Sequence, residues 1–114
     1  MKLSSLTPGQ TVLAGYIRGD RRFFDPAIFL GATWCRTNGV RPIPCYETVG
    51  QMKAHTGPGY RSLKALEADL DAEGCRAYAV FQDPEDGSTW AAYLWEGAWR
   101  VGSSGDRLRL LAAD

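Results

Sequence analysis

A two-residue loop, Glu96-Gly97, set between two aromatic-rich runs constrains this chain more than any other feature. Such a loop ending in glycine fits a tight antiparallel hairpin, and a tight turn fixes the register of both strands it joins. The spacing predicts Trp95 opposite Ala98, Leu94 opposite Trp99, Tyr93 opposite Arg100 and Ala92 opposite Val101. Strand side chains alternate between faces, so the register sorts residues into two sets. Trp90, Ala92, Leu94, Trp99 and Val101 form the more uniformly apolar set and are expected in the core. Ala91, Tyr93, Trp95, Ala98 and Arg100 form the outer set.

The hairpin belongs to a longer stretch, Cys75 to Leu111, that reads as a four-stranded antiparallel meander. Asp83-Pro84-Glu85-Asp86-Gly87-Ser88 and Ser104-Gly105 supply the other turns. In the last strand Leu108 and Leu110 alternate with Arg107 and Arg109, which places the arginines outside with Tyr93, Trp95 and Arg100. The strand from Cys75 to Gln82 follows a longer loop, so its register stays open. One register puts Arg76 and Tyr78 outside, and a slip of one residue puts them inside.

The rest of the chain reads as material packed against this meander. Pro8-Gly9 makes a turn before a strand over Thr11–Arg18. Arg18-Gly19-Asp20 matches an integrin-recognition tripeptide and is read as coincidence; Arg21 and Arg22 extend it into a small basic loop. Asp25 to Gly39 suits either a helix, capped by Asp25-Pro26, or a strand ending in an Asn38-Gly39 hairpin. Pro42 and Pro44, two apart, suit a blunted edge strand, which favours the hairpin.

Glu47 to His55 is expected as a short helix, followed by a loop through Thr56-Gly57-Pro58-Gly59. Arg61 to Glu73 is the strongest helix, with Leu63, Leu66 and Leu70 as one stripe and Gly74 as its C-terminal cap. Glu67 and Asp71, and Asp69 and Glu73, stack like charges four residues apart, toward the end where the helix dipole disfavours anions. A cationic neighbour is the expected remedy, either an arginine of the same chain or a basic partner.

At 114 residues the chain is expected to form a single α+β domain spanning 1–114, with the meander covered by two short helices. Its formal net charge of zero argues against a sequence-independent nucleic-acid binder held by bulk charge. Residues 1–45 nonetheless carry six basic and two acidic groups, and residues 46–88 carry four basic and eight acidic. An odd set of cysteines (Cys35, Cys45, Cys75) without an apolar leader segment fits a reduced, cytoplasmic setting with no membrane span.

No motif fixes a chemistry. Cys35, Cys45, His55 and Cys75 lack the short paired spacings of zinc sites, so no metal and no cofactor is expected. The acidic turn of Asp83, Glu85 and Asp86 is too short for a calcium loop. Cys45 with His55, oriented by Glu47, is the arrangement that could support covalent catalysis.

Three functions stand. The preferred one is a non-catalytic protein-interaction module, an inhibitor, immunity-type protein or adaptor, binding a partner through Tyr93, Trp95, Arg100, Arg107 and Arg109. The second is single-stranded nucleic-acid binding on that same face. The third is a small cysteine-dependent enzyme using Cys45 and His55.

Overall fold

Six antiparallel strands and one α-helix make up the described part of the chain, residues 1–36 and 62–113 of this computed structural model. After a short 3-10 turn at Leu3–Ser5 come β1 (Thr11–Arg18), β2 (Arg21–Arg36), α1 (Leu63–Ala72), β3 (Cys75–Gln82), β4 (Thr89–Trp95), β5 (Ala98–Val101) and β6 (Arg109–Ala112). The strands lie in the order β5-β4-β3-β2-β1-β6. The domain is α+β, as expected.

The Glu96-Gly97 turn forms with the expected register: Ala92 opposite Val101, Tyr93 opposite Arg100, Leu94 opposite Trp99, Trp95 opposite Ala98. Both turn residues take positive φ, 52° at Glu96 and 75° at Gly97. The face assignment holds in part: Val101, expected in the core, is half-buried and outside the core cluster, and Ala98, expected on the outer face, is buried beside Trp99 at the short end of β5. Ala92, Leu94 and Trp99 are buried in the core, and Trp90 packs against it. The register of β3 is now fixed, because Tyr78 stands opposite Tyr93 and Phe81 opposite Trp90. Phe81 and Trp90 stack with ring centroids 4.7 Å apart. Arg76 and Tyr78 therefore share the outer face with Tyr93.

The four-stranded meander needs correction. β3, β4 and β5 are consecutive neighbours, but β6 crosses to the far side and pairs with β1, Leu110 opposite Ala14. The residues just before β6 still hydrogen-bond to β5: Val101 N donates to Asp106 O at 2.8 Å, and Leu108 N donates to Trp99 O at 2.8 Å. One segment thus touches both ends of the strand order, and the sheet curls into a barrel-like closure. Closure removes the exposed edge that an open meander would leave at β5.

β2 makes the curl possible. Its 16 residues pair with β1 through Arg21–Ile28 and with β3 through Ile28–Arg36. A register shift between Phe29 and Gly31, where Gly31 takes a φ of 137°, bends the strand between its two partners. The helical alternative for Asp25 onward does not hold up to Arg36. The strand also begins earlier than expected, so Arg21 and Arg22 lie in β2 and only Gly19-Asp20 turn the chain. Gly15 lies buried where β1 meets β2: a Cβ there would sit 1.6 Å from the Phe23 carbonyl oxygen.

α1 is shorter than the expected 61–73 and is capped by Ser62, whose side chain accepts from Ala65 N at 3.2 Å. Gly74, with φ 71°, follows its end as expected. Leu66 and Leu70 are buried and join Phe29, Phe81, Leu94, Trp99 and Leu110 in one cluster, with Leu63 and Leu108 packed on it. The helix sits on β3 and β4. The expected second helix over Glu47–His55, the Asn38-Gly39 turn and the proline-bearing edge strand lie outside the described residues. Among the described residues no helix is long and apolar enough to cross a membrane.

Candidate functional site: an aromatic and arginine sheet face

The pairing ladder builds the outer face one rung at a time. Tyr78 on β3 stands opposite Tyr93 on β4, Tyr93 opposite Arg100 on β5, and Arg100 opposite Arg107 in the segment leading to β6. These four residues form a row across the sheet, two rings followed by two guanidinium-bearing side chains. Arg109, the first residue of β6, stands opposite Gly15 of β1. Arg107 and Arg109 are exposed, with no ion-pair partner among the described residues.

Trp95 lies at the rim of this row and is 39% exposed. The Arg76 guanidinium lies over its ring, 4.7 Å from the centroid, within range of a cation–π attraction. Arg76, Tyr78, Tyr93, Trp95 and Gly102 together line an open depression of about 280 Å³. Gly102 is needed there for space: a Cβ would come within 2.8 Å of the Ala91 carbonyl oxygen.

Arg100 is the scaffold of the face. Its Nε donates to the Trp95 carbonyl at 3.1 Å and its Nη1 to the Gly105 carbonyl at 3.2 Å. A looser contact of 3.8 Å joins it to exposed Glu96, a geometry that contributes little in water. Its planar fork thus ties the Glu96-Gly97 turn to the turn at 102–105. The Tyr93 hydroxyl lies close by, 3.7 Å from where a Cβ on Gly105 would stand. On the flank, Arg18 donates to Asp106 at 2.6 Å and joins the β1–β2 hairpin to that turn. The Arg18 bond, and after it the Ser104 hydroxyl, hold the Asp106 carboxyl below its ordinary value.

The structure brings Tyr93, Trp95, Arg100 and Arg107 together on neighbouring strands and carries Arg109 onward to the β1 side. Sequence reasoning left Arg76 and Tyr78 unplaced and passed over Gly102. A signal for β3 was present: Ala77 and Ala79 alternate with Arg76 and Tyr78, and only the alanine side leaves room for a helix to approach. Cys45, His55 and Glu47 lie outside the described residues. Among the described residues no group of three or more His, Cys, Asp or Glu is placed to hold a metal ion.

Comparison with family models, curated proteins and solved structures finds no match to this chain, so the reading of this face rests on its own residues.

Proposed function

We propose that this chain is a non-catalytic protein-interaction module, of the inhibitor, immunity or adaptor kind, and that it binds a partner protein through the outer face of β3, β4 and β5. One observation carries the reading: Tyr93, Arg100, Arg107 and Trp95 lie on the side of the sheet away from the α1 contacts, beside an open depression whose floor includes the buried Tyr78. Trp, Tyr and Arg are the residues that dominate binding energy at protein interfaces, because they combine large rigid contact area with directional donors. Arg100, already fixed by two backbone carbonyls, loses little freedom on binding.

The test is affinity capture from the source cell followed by mass spectrometry, with wild type, Trp95→Ala and Tyr93→Ala as baits. A Glu85→Ala bait on the distant acidic turn serves as control. The expected result is one protein held by wild type and the control and lost from both aromatic variants. Capture of the same protein by Trp95→Ala at the wild-type level overturns the proposal.

Single-stranded nucleic acid is the second reading, favoured by the exposed Arg107 and Arg109 that prolong the row. It requires retention of a labelled oligonucleotide at low salt and a steep fall in affinity as salt rises. Absence of retention at low salt removes it.

A further inference from the structure

We propose that the depression beside Trp95 is a carboxylate subsite, which takes an Asp or Glu side chain of the partner in the fork of Arg76. The inference rests on the protein-binding reading and names the chemistry of its contact.

Arg76 is half-buried, yet its guanidinium has no hydrogen-bond or ion-pair partner among the described residues. Its N–H groups still reach solvent and can form charge-assisted bonds to an incoming anion. The Arg76 Cζ lies over the Trp95 ring, 4.7 Å from its centroid, and the planar fork has the donors for the paired bonds that a carboxylate accepts. Among the described residues, none that lines the depression is acidic. Arg100 and Arg107 stand in the adjoining row, and the two acids beside it, Glu96 and Asp106, already face Arg100 and Arg18. The local charge is therefore complementary to an anion.

Size and shape narrow the occupant. About 280 Å³ lies just below the range typical of pockets for drug-sized ligands, and it suits one side chain. Three aromatic rings could otherwise suit a methylated ammonium, but Arg76 already covers the indole face and repels a second cation. A phosphate would share the fork chemistry. The zero net charge of the whole chain favours a single carboxylate of a protein over a polyphosphate strand.

NMR titration of the isotope-labelled full chain tests this. The probes are an end-blocked (Glu-Tyr)3 peptide, its (Gln-Tyr)3 counterpart and inorganic phosphate. The Trp95 indole N–H and Arg76 Nε–H resonances are expected to shift saturably with the Glu peptide. Binding should be at least about tenfold weaker for the Gln peptide and for Arg76→Gln, with Arg76→Lys between, since a point charge replaces the fork. Retained dispersion of the spectra certifies that the variants fold. Equal affinity for the two peptides, unchanged binding by Arg76→Gln, or no shift with the Glu peptide overturns the proposal. So does tighter binding of phosphate than of the Glu peptide. If cell-extract capture is lost with Trp95→Ala but kept with Arg76→Gln, the binding face stands and the carboxylate subsite falls.

Discussion

Glu67 on α1 accepts a 2.6 Å hydrogen bond from the backbone N–H of Gly97 through one carboxylate oxygen. Its other oxygen accepts from Glu96 N at 2.8 Å. The helix thereby holds the β4–β5 turn by its two amides, the same turn that sets the register of the binding face. The acidic surplus of α1 has at least this one physical purpose, and its partner is a pair of backbone donors where a cation was expected. Charge-assisted bonds to backbone amides contribute about 1.5–3 kcal/mol each when both groups are held in place. Since Glu96 N is exposed, the pair lies toward the lower end. Glu67→Ala is expected to lower unfolding free energy by about 1–3 kcal/mol in urea denaturation. Glu67→Gln keeps one acceptor and should cost less. A Glu67→Ala protein as stable as wild type would mean that the latch contributes nothing.

Gly15→Ala should be among the most damaging single changes outside the large core side chains. The added methyl would stand 1.6 Å from a carbonyl oxygen of β2, so one strand must move. That movement disturbs both the β1–β2 and β1–β6 pairings, since Gly15 stands opposite Phe24 and Arg109 at once. Overpacking typically costs about 1–3 kcal/mol where neighbours can adjust, and backbone adjusts less readily than side chains. Loss of at least about 3 kcal/mol, or failure to give a folded circular-dichroism spectrum, is expected. A Gly15→Ala protein with wild-type stability would mean that the strands are not this close.

What could be read from the sequence follows the range of each interaction. The Glu96-Gly97 hairpin was legible because its turn chemistry and alternation are local. The destination of β6 was not. Leu108 and Leu110 reveal which face of that strand is buried, but no periodicity says whether its neighbour is β5 or β1, almost a whole chain away. The bend in β2 at Gly31, a long-range feature, lies between the β1 and β3 pairings of that strand. Asp25 to Gly39 was ambiguous for another reason: Asp25-Pro26 is a good helix start and Asn38-Gly39 suits either a helix stop or a hairpin turn. The candidate face was half legible. Tyr93, Trp95, Arg100 and Arg107 follow from two local alternations, whereas Arg76, Tyr78 and Gly102 join it through pairings that a long loop leaves unspecified.

Leu94 and Trp95 are chain neighbours on opposite faces, and that contrast tests the face assignment through stability alone. Leu94 is 2% exposed and Trp95 39% exposed. Truncating a buried leucine removes transfer energy and leaves a cavity, so Leu94→Ala is expected to cost about 2–5 kcal/mol. Trp95→Ala loses its contact with Arg76 and should cost about 1 kcal/mol or less. Chemical denaturation of the two variants beside wild type measures both. If Trp95→Ala proves the more damaging, the ring is a core residue and the proposed binding surface is lost.

The Arg18–Asp106 bridge gives the fold a specific sensitivity to acid. Its bond joins the tip of the β1–β2 hairpin to the turn that leads into β6, and Asp106 also supplies the carbonyl that accepts from Val101 N. The Arg18 bond holds the Asp106 carboxyl below its ordinary 3.8, with the Ser104 hydroxyl assisting. A carboxyl with a depressed folded value binds its proton more readily in the unfolded chain. Its contribution is therefore complete above the ordinary value and is lost as pH falls through the lower folded one. Arg18 is raised by the same bond and stays charged throughout this range. The stability difference between wild type and Asp106→Asn should be constant from neutral pH down to about pH 5 and then shrink toward pH 2. It should also narrow in high salt, because the Arg18 side chain is 61% exposed and readily screened. Urea midpoints measured for both proteins across that range provide the check. A difference that persists undiminished at pH 2 would show that the Asp106 charge is not what holds the hairpin to the turn.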